Sequence, residues 1–174
     1  MLLAKHPTVQ DKLRCELLKL DDDKRSKCEY IRSVVKESNR LVPVAAAGPV
    51  RVPGKDFPCK NQSMIIPKGC EVYFPPMLMN RNPAVFPDPK SFIPERWEDA
   101  TKEMRDSVMT FACGARDCPG KSLAHAELET SIALLLADYK FEVVDEGKLD
   151  YFILLGYTGA QLKVSCNACH TSAR

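Results

Sequence analysis

The residues best equipped for chemistry lie in one decapeptide, Phe111-Ala112-Cys113-Gly114-Ala115-Arg116-Asp117-Cys118-Pro119-Gly120. Cysteine binds metal as the thiolate, and Cys118 is placed where the thiolate is favoured. Pro119 follows it at a position suited to the first residue of a helix, where its missing N–H costs nothing. A helix over roughly residues 119–139 would aim its unpaired N–H groups and positive dipole end at the sulfur. Gly114 and Gly120 have no Cβ, so backbone there can turn tightly and approach a flat ligand closely. Phe111 can shield the sulfur from water, and a drier sulfur interacts more strongly with nearby donors. Arg116, two residues before Cys118, can reach a carboxylate on the edge of such a ligand through a charge-assisted, bidentate-capable pair.

The pattern Phe-x-x-Gly-x-Arg-x-Cys-x-Gly at positions 111–120 resembles the haem-binding signature of the cytochrome P450 family, and Ala124 matches that signature's usual extension. Glu37-x-x-Arg40, the turn Ile66-Pro67-Lys68-Gly69 and Pro94-Glu95-Arg96-Trp97 carry the same resemblance, with tryptophan in the last aromatic place. The resemblance implies iron protoporphyrin IX (haem b) ligated by Cys118 and surrounded by Phe111, Gly114, Arg116, Gly120 and Ala124. Arg51 stands where family members often place a basic residue against a haem propionate. Val44 to Ala47 and the tip of a C-terminal hairpin would line the substrate side. Glu37, Arg40 and Arg96 would form one buried network that pins the approach to the loop. Two guanidinium groups donate more hydrogen bonds than one carboxylate can accept, so backbone carbonyls must take the remainder.

Helices and short strands must position these residues. Val9, Leu13 and Leu17 recur at helical spacing and predict a helix over residues 8–20 that starts near Pro7. Ile31, Val34, Val35 and Ser38 share one face of a second predicted helix, residues 27–41. Glu37 and Arg40 are three apart on that helix and therefore neighbours on its surface. Short strands are expected at residues 50–52, 64–66 and 70–74, the last two flanking the Pro67-Lys68-Gly69 turn. A helical turn is expected at residues 77–82. Prolines at 87, 89 and 94 keep residues 86–97 out of helix interiors and sheet centres. Residues 98–108 show no period and read as a polar connection. Leu128, Ile132, Leu135, Leu136 and Tyr139 predict the core face of the helix after the loop. His125 on that helix reads as a surface or interface residue. Residues 140–144 read as a strand, and residues 151–155 and 161–166 as a hairpin through Gly156 to Gly159.

The expected fold is therefore mainly α with small β-sheets (α+β). The resemblance runs from Met1 to about Cys166. It corresponds to the C-terminal portion of one cytochrome P450 domain, truncated at its N-terminus, with the haem-binding loop at residues 111–120 of 1–174. The family's long central helix, its oxygen-activating acid-and-hydroxyl pair and its N-terminal membrane anchor find no counterpart in these 174 residues. The first helix begins so close to Met1 that the chain reads as cut.

The chain is 45% hydrophobic with a formal charge of +2, which allows a core and argues against nucleic acid as a partner. The longest apolar run, Ile132 to Ala137, is too short to span a bilayer. The start of the chain does not read as a secretion signal. Eight cysteines without a secretory context suggest reduced thiols. By resemblance, a full-length relative would work at the cytoplasmic face of the endoplasmic reticulum if anchored, and in the cytoplasm otherwise.

The function implied is a haem-thiolate monooxygenase. It would oxidise a small apolar organic substrate with O2, using electrons from an NADPH-dependent reductase or a ferredoxin-type donor. Lys102, Arg105 and Lys121 are either ordinary solvated cations or a positive face for an acidic electron donor. Two alternatives stand beside the enzyme. One is a truncated, non-enzymatic haem-binding remnant. The other is a c-type haem carrier through Cys166-Asn167-Ala168-Cys169-His170, whose Cys-x-x-Cys-His pattern is an attachment signature.

Overall fold

The computed structural model describes residues 1–59, 63–151 and 155–166. Six α-helices and eight short strands follow one another among them. Helix α1 (Leu2–Lys5) and α2 (Pro7–Leu18) are separated by His6, and Pro7 occupies the first turn of α2, where its lack of an N–H is harmless. A 3₁₀ segment (Asp22–Lys27) leads into α3 (Glu29–Leu41). Helix α4 (Pro76–Met79) precedes the proline-rich stretch, which ends in a 3₁₀ turn, Pro94–Trp97. Helix α5 (Lys102–Ser107) and the long α6 (Lys121–Asp138) flank the cysteine loop.

The core forms where α2, α3 and α6 meet. Leu13 and Leu17 of α2, Ile31 and Val34 of α3, and Ala133 and Leu136 of α6 are buried against one another. Burying a leucine-sized side chain is worth about 1.5–3 kcal/mol, so this cluster supplies much of the driving force for docking the helices. A smaller cluster of Phe86, Trp97 and Ala100 sits beneath the proline-rich stretch. Gln10 ties the two ends of the chain together. Its buried Nε2 donates to the Phe141 and Leu3 carbonyls at 2.9 and 3.1 Å, and its Oε1 accepts from the Phe141 N–H at 2.8 Å.

Among the described residues, four sheets form, each two-stranded and antiparallel. Strand β1 (Val50–Arg51) pairs with β4 (Val72–Tyr73), and β2 (Phe57–Pro58) with β3 (Ile65–Ile66). The two strands flanking the Pro67-Lys68-Gly69 turn therefore do not pair with each other. The turn is held from elsewhere: the Gly69 N–H donates to the Pro53 carbonyl and the Lys68 N–H to Asp56 Oδ1. At the C-terminal end, β5 (Tyr139–Asp145) pairs with β8 (Gln161–Cys166), and β6 (Lys148–Tyr151) pairs with β7 (Leu155–Thr158) between them. Of the expected hairpin of residues 151–155 with 161–166, residues 161–166 pair with β5 instead, Tyr151 and Leu155 pair with each other, and residues 152–154 lie outside the described residues. Gly147, at φ +59°, allows the pairing of β6 with β7 because a Cβ there would fall 2.3 Å from the Thr158 carbonyl oxygen.

Three other expectations change. Residues 98–108 contain α5, capped by Thr101, whose side chain accepts from the Met104 N–H. The helix after the loop begins at Lys121, so Pro119 precedes it instead of opening it. Its core face is Ala133, Leu136 and Ala137, whereas Leu128, Leu135 and Tyr139 are exposed. Apolar residues occur all round α6, so periodicity alone could not select the buried face. No described helix is long and apolar enough to cross a membrane.

Gln10→Ala should destabilise the fold by about 1–3 kcal/mol for each buried Phe141 backbone group left unpaired. Urea denaturation measures the loss, and an unchanged midpoint would show that the Gln10 bridge is dispensable.

Candidate functional site

The site is built from a buried carboxylate outward. Glu37 and Arg40, on one face of α3, are both fully buried with 0% exposure. A surface ion pair is therefore excluded. Arg40 donates through Nε to Glu37 Oε2 at 2.9 Å and through one terminal nitrogen to Oε1 at 2.8 Å. Its remaining N–H groups donate to the carbonyls of Asn80, Pro89 and Ser91. All five donors of the guanidinium are thus matched. Arg96 brings a second positive charge, donating through Nε to Glu37 Oε1 at 2.9 Å and through its terminal nitrogens to the Pro87 and Asp88 carbonyls. The Trp97 indole N–H donates to Glu37 Oε2 at 2.9 Å, and the Ile93 backbone N–H to Oε1 at 3.0 Å.

This network reaches the cysteine loop through Asn80, which is fully buried at the end of α4. The Asn80 carbonyl accepts from Arg40. Its side-chain oxygen accepts from the Met109 N–H at 2.9 Å, and its Nδ2 donates to Thr110 Oγ1 at 2.9 Å. Thr110 Oγ1 in turn donates to the Asn39 carbonyl on α3. The next residue, Phe111, accepts from the Cys118 N–H at 2.9 Å. Hydrogen bonds thus run from Glu37 through Arg40 and Asn80 to Thr110, and from there the peptide link to Phe111 and one further hydrogen bond lead to the backbone of Cys118. Within the loop, Ala112 (φ +57°) and Gly114 (φ +74°) adopt the left-handed conformation. Only glycine accepts that without strain, so Ala112 is the strained member.

Cys118 is exposed on the loop surface and opens onto a cleft of about 640 Å³. Val44, Ala45, Gly48, Pro49, Pro76 and Met109 line it opposite the loop, and Phe111, Arg116, Ala124 and Leu128 complete it. Gly120 lies close to the sulfur, since a Cβ built there would stand 3.8 Å from Sγ. Gly114 has open space where its Cβ would be. Arg116 is exposed and makes no hydrogen bond or ion pair to another described residue. The Phe111 ring packs on His125 at 5.1 Å between centroids. Of the expected site residues, Gly114, Gly120 and Arg51 do not line the cleft, the two glycines belonging to the loop itself. Arg51 is exposed on β1 and donates to its own neighbour's carbonyl at Val50. Lys102 is paired to Asp106 on α5. Of the Cys-x-x-Cys-His stretch only Cys166 is described, at the end of β8; Cys169 and His170 lie outside the described residues.

The sequence matches the Cytochrome P450 family over residues 1–162. The chain belongs to the cytochrome P450 family. Relatives include Cytochrome P450 85A1 of Solanum lycopersicum, 32% identical over 86% of this chain but only 34% of that protein. Cytochrome P450 monooxygenase BOT4 of Botryotinia fuckeliana is 35% identical over 83% of this chain and 28% of its own length. The fold superposes on a retinoic acid-bound cyanobacterial CYP120A1 with a TM-score of 0.83, at 24% identity, covering 95% of this chain and 40% of that one. The chain thus spans about a third of the length of these P450 relatives, and it has a partial P450 fold. P450 membership implies a haem cofactor and a monooxygenase kind of chemistry.

Sequence reasoning passed over Asn80 and the indole of Trp97. A polar residue after a short helix looks like an ordinary cap, so nothing marked Asn80 as buried. Trp97 did carry a signal, because a buried indole N–H needs an acceptor.

Asn80→Ala should orphan the buried Met109 N–H, at about 1–3 kcal/mol, and remove one donor from Thr110 Oγ1 while leaving its bond to the Asn39 carbonyl. Amide exchange at Met109 and Cys118 should accelerate while β5 and β8 keep their protection; unchanged exchange at Met109 would break the proposed relay. Burial lowers the His125 pKa below its ordinary 6.5, Glu129 opposes this, and Lys121 and Lys36 reinforce it. Because the unfolded chain then binds the proton more readily, stability should fall as pH drops through about 6.5 towards the folded value. NMR titration of His125 should give a midpoint below 6.5, and one above it would contradict the burial.

Proposed function

We propose that this chain forms the cysteine side of a haem-thiolate monooxygenase, with iron protoporphyrin IX held against the loop by Cys118. The observation that carries the reading is the coincidence, in one cleft of mainly apolar lining, of an exposed thiol and an unpaired guanidinium from the same loop. That donor set fits the group. A single soft sulfur suits iron, apolar walls suit the porphyrin faces, and Arg116 suits a propionate. Bound there, the haem would supply activation of O2 and insertion of oxygen into a substrate.

The chain's own residues have narrower tasks. Cys118 provides the thiolate. Phe111, Gly114, Gly120 and Ala124 shape the wall so that a flat group can approach the sulfur. Arg116 orients that group by one edge. Arg51, exposed on β1, would contribute a second cation for a propionate. Val44 and Ala45, on the opposite wall, are small and would admit an apolar organic substrate without naming it. Arg105 and Lys121, joined by Lys36, form the cationic surface on the far side of Phe111, and an acidic reductase or ferredoxin-type donor supplied with electrons from NADPH would suit it. Glu37, Arg40 and Arg96 act through the backbone and touch neither substrate nor haem.

With one wall of the cleft open in this chain, haem should bind it weakly and without sustained turnover. Haemin titration followed at the Soret band should show binding by the chain. Arg116→Ala should weaken that binding about tenfold or more, as expected for a lost charge-assisted bond. Equal affinity in the variant would remove Arg116 from the site.

A further inference from the structure

A second cavity of about 200 Å³ adjoins the cleft, sharing Asn39, Thr110, Phe111 and Ala112 with it. Its walls come from α3 (Lys36, Asn39), the α5 region (Arg105) and α6 (Lys121, His125), with Trp97 and Phe111 as an apolar floor. No aspartate or glutamate lines it. Lys36 and Lys121 have no carboxylate partner among the described residues, and Arg105 uses one nitrogen on the Ala100 carbonyl. Asn39 adds a buried Nδ2 with no hydrogen-bond acceptor. Like charges gathered at one opening repel one another, and the carboxylate that reaches His125, Glu129, lies outside the lining and also faces Arg32.

We propose that this cavity is a binding site for a small tetrahedral oxyanion of the sulfate or phosphate class. Three points select that ligand. The volume falls below the roughly 300–1,000 Å³ of pockets for drug-sized molecules, so a compact ion fits better than an organic substrate. The cations are lysine and arginine donors, which pair with oxyanions through charge-assisted bonds. Those donors come from three separate elements on different sides, which suits oxygens pointing in all directions better than a planar carboxylate. Occupancy would also be felt at the cysteine, because Phe111 forms the floor and its carbonyl holds the Cys118 N–H. The site needs no haem, so its test is independent of the function proposed above.

Sulfate is the probe, with sodium chloride at matched ionic strength as the control. Calorimetric titration of the purified 174-residue chain should show saturable sulfate binding, and sulfate should raise the thermal midpoint as any ligand of the folded state does. The double variant Lys36→Ala/Lys121→Ala changes only exposed side chains; it should keep its fold and bind sulfate at least about tenfold more weakly. Lys102→Ala, outside the cavity and already paired to Asp106, should bind as the parent does. Absence of sulfate binding overturns the proposal, as does equal loss in both variants, which would mean generalised charge. Acetate binding as tightly as sulfate would likewise overturn the assignment to a tetrahedral ion.

Discussion

The structure depends on one carboxylate removed from water. Glu37 accepts from Arg40, Arg96, Trp97 and the Ile93 backbone, and two positive charges face its one negative charge. A buried charge with a missing partner is strongly destabilising, so the set holds together or fails together. The surplus guanidinium donors end on the carbonyls of Asn80, Pro87, Asp88, Pro89 and Ser91. Those carbonyls belong to chain that has no regular secondary structure to satisfy it. Two arginines thus do for the proline-rich stretch what a ladder does for a strand.

This explains how an exposed cysteine on an irregular loop can have a defined position. Hydrophobic packing fixes α3 against α2 and α6, the carboxylate fixes the proline-rich stretch against α3, and Asn80 fixes residues 109 and 110. From Phe111 a single backbone hydrogen bond reaches Cys118. Cys118 stands at the end of that series, with its side chain exposed while its peptide N–H is held. The left-handed Ala112 is tolerated because both sides of it are held.

How far this was legible in the sequence differs between local and long-range features. The helices at α2 and α3 follow from apolar spacing, and the mixed α-and-β class from the short strands around them. The meeting of Glu37 with Arg40 follows from helix geometry, but that of Arg96 with either rested on resemblance, since 56 residues of chain separate Arg96 from Arg40. Strand partners were misassigned because alternation identifies a strand without naming its neighbour. Helix α5 was missed because six mostly polar residues carry no apolar period. Leu128, Leu135 and Tyr139 were taken for core because α6 is apolar on more than one face. Arg51 was placed by resemblance at its distance from Arg40, a placement that a side chain bonded only to the Val50 carbonyl neither supports nor opposes.

The central claim is that the braced loop delivers the sulfur of Cys118 to iron. X-ray absorption at the iron edge of the haem-loaded chain tests it most directly. The account predicts a sulfur scatterer in the first coordination sphere of the iron, absent in Cys118→Ser and present when Cys113, the other cysteine of the loop, is replaced by serine. A first sphere of nitrogen and oxygen alone, or a sulfur signal that survives Cys118→Ser, would contradict it.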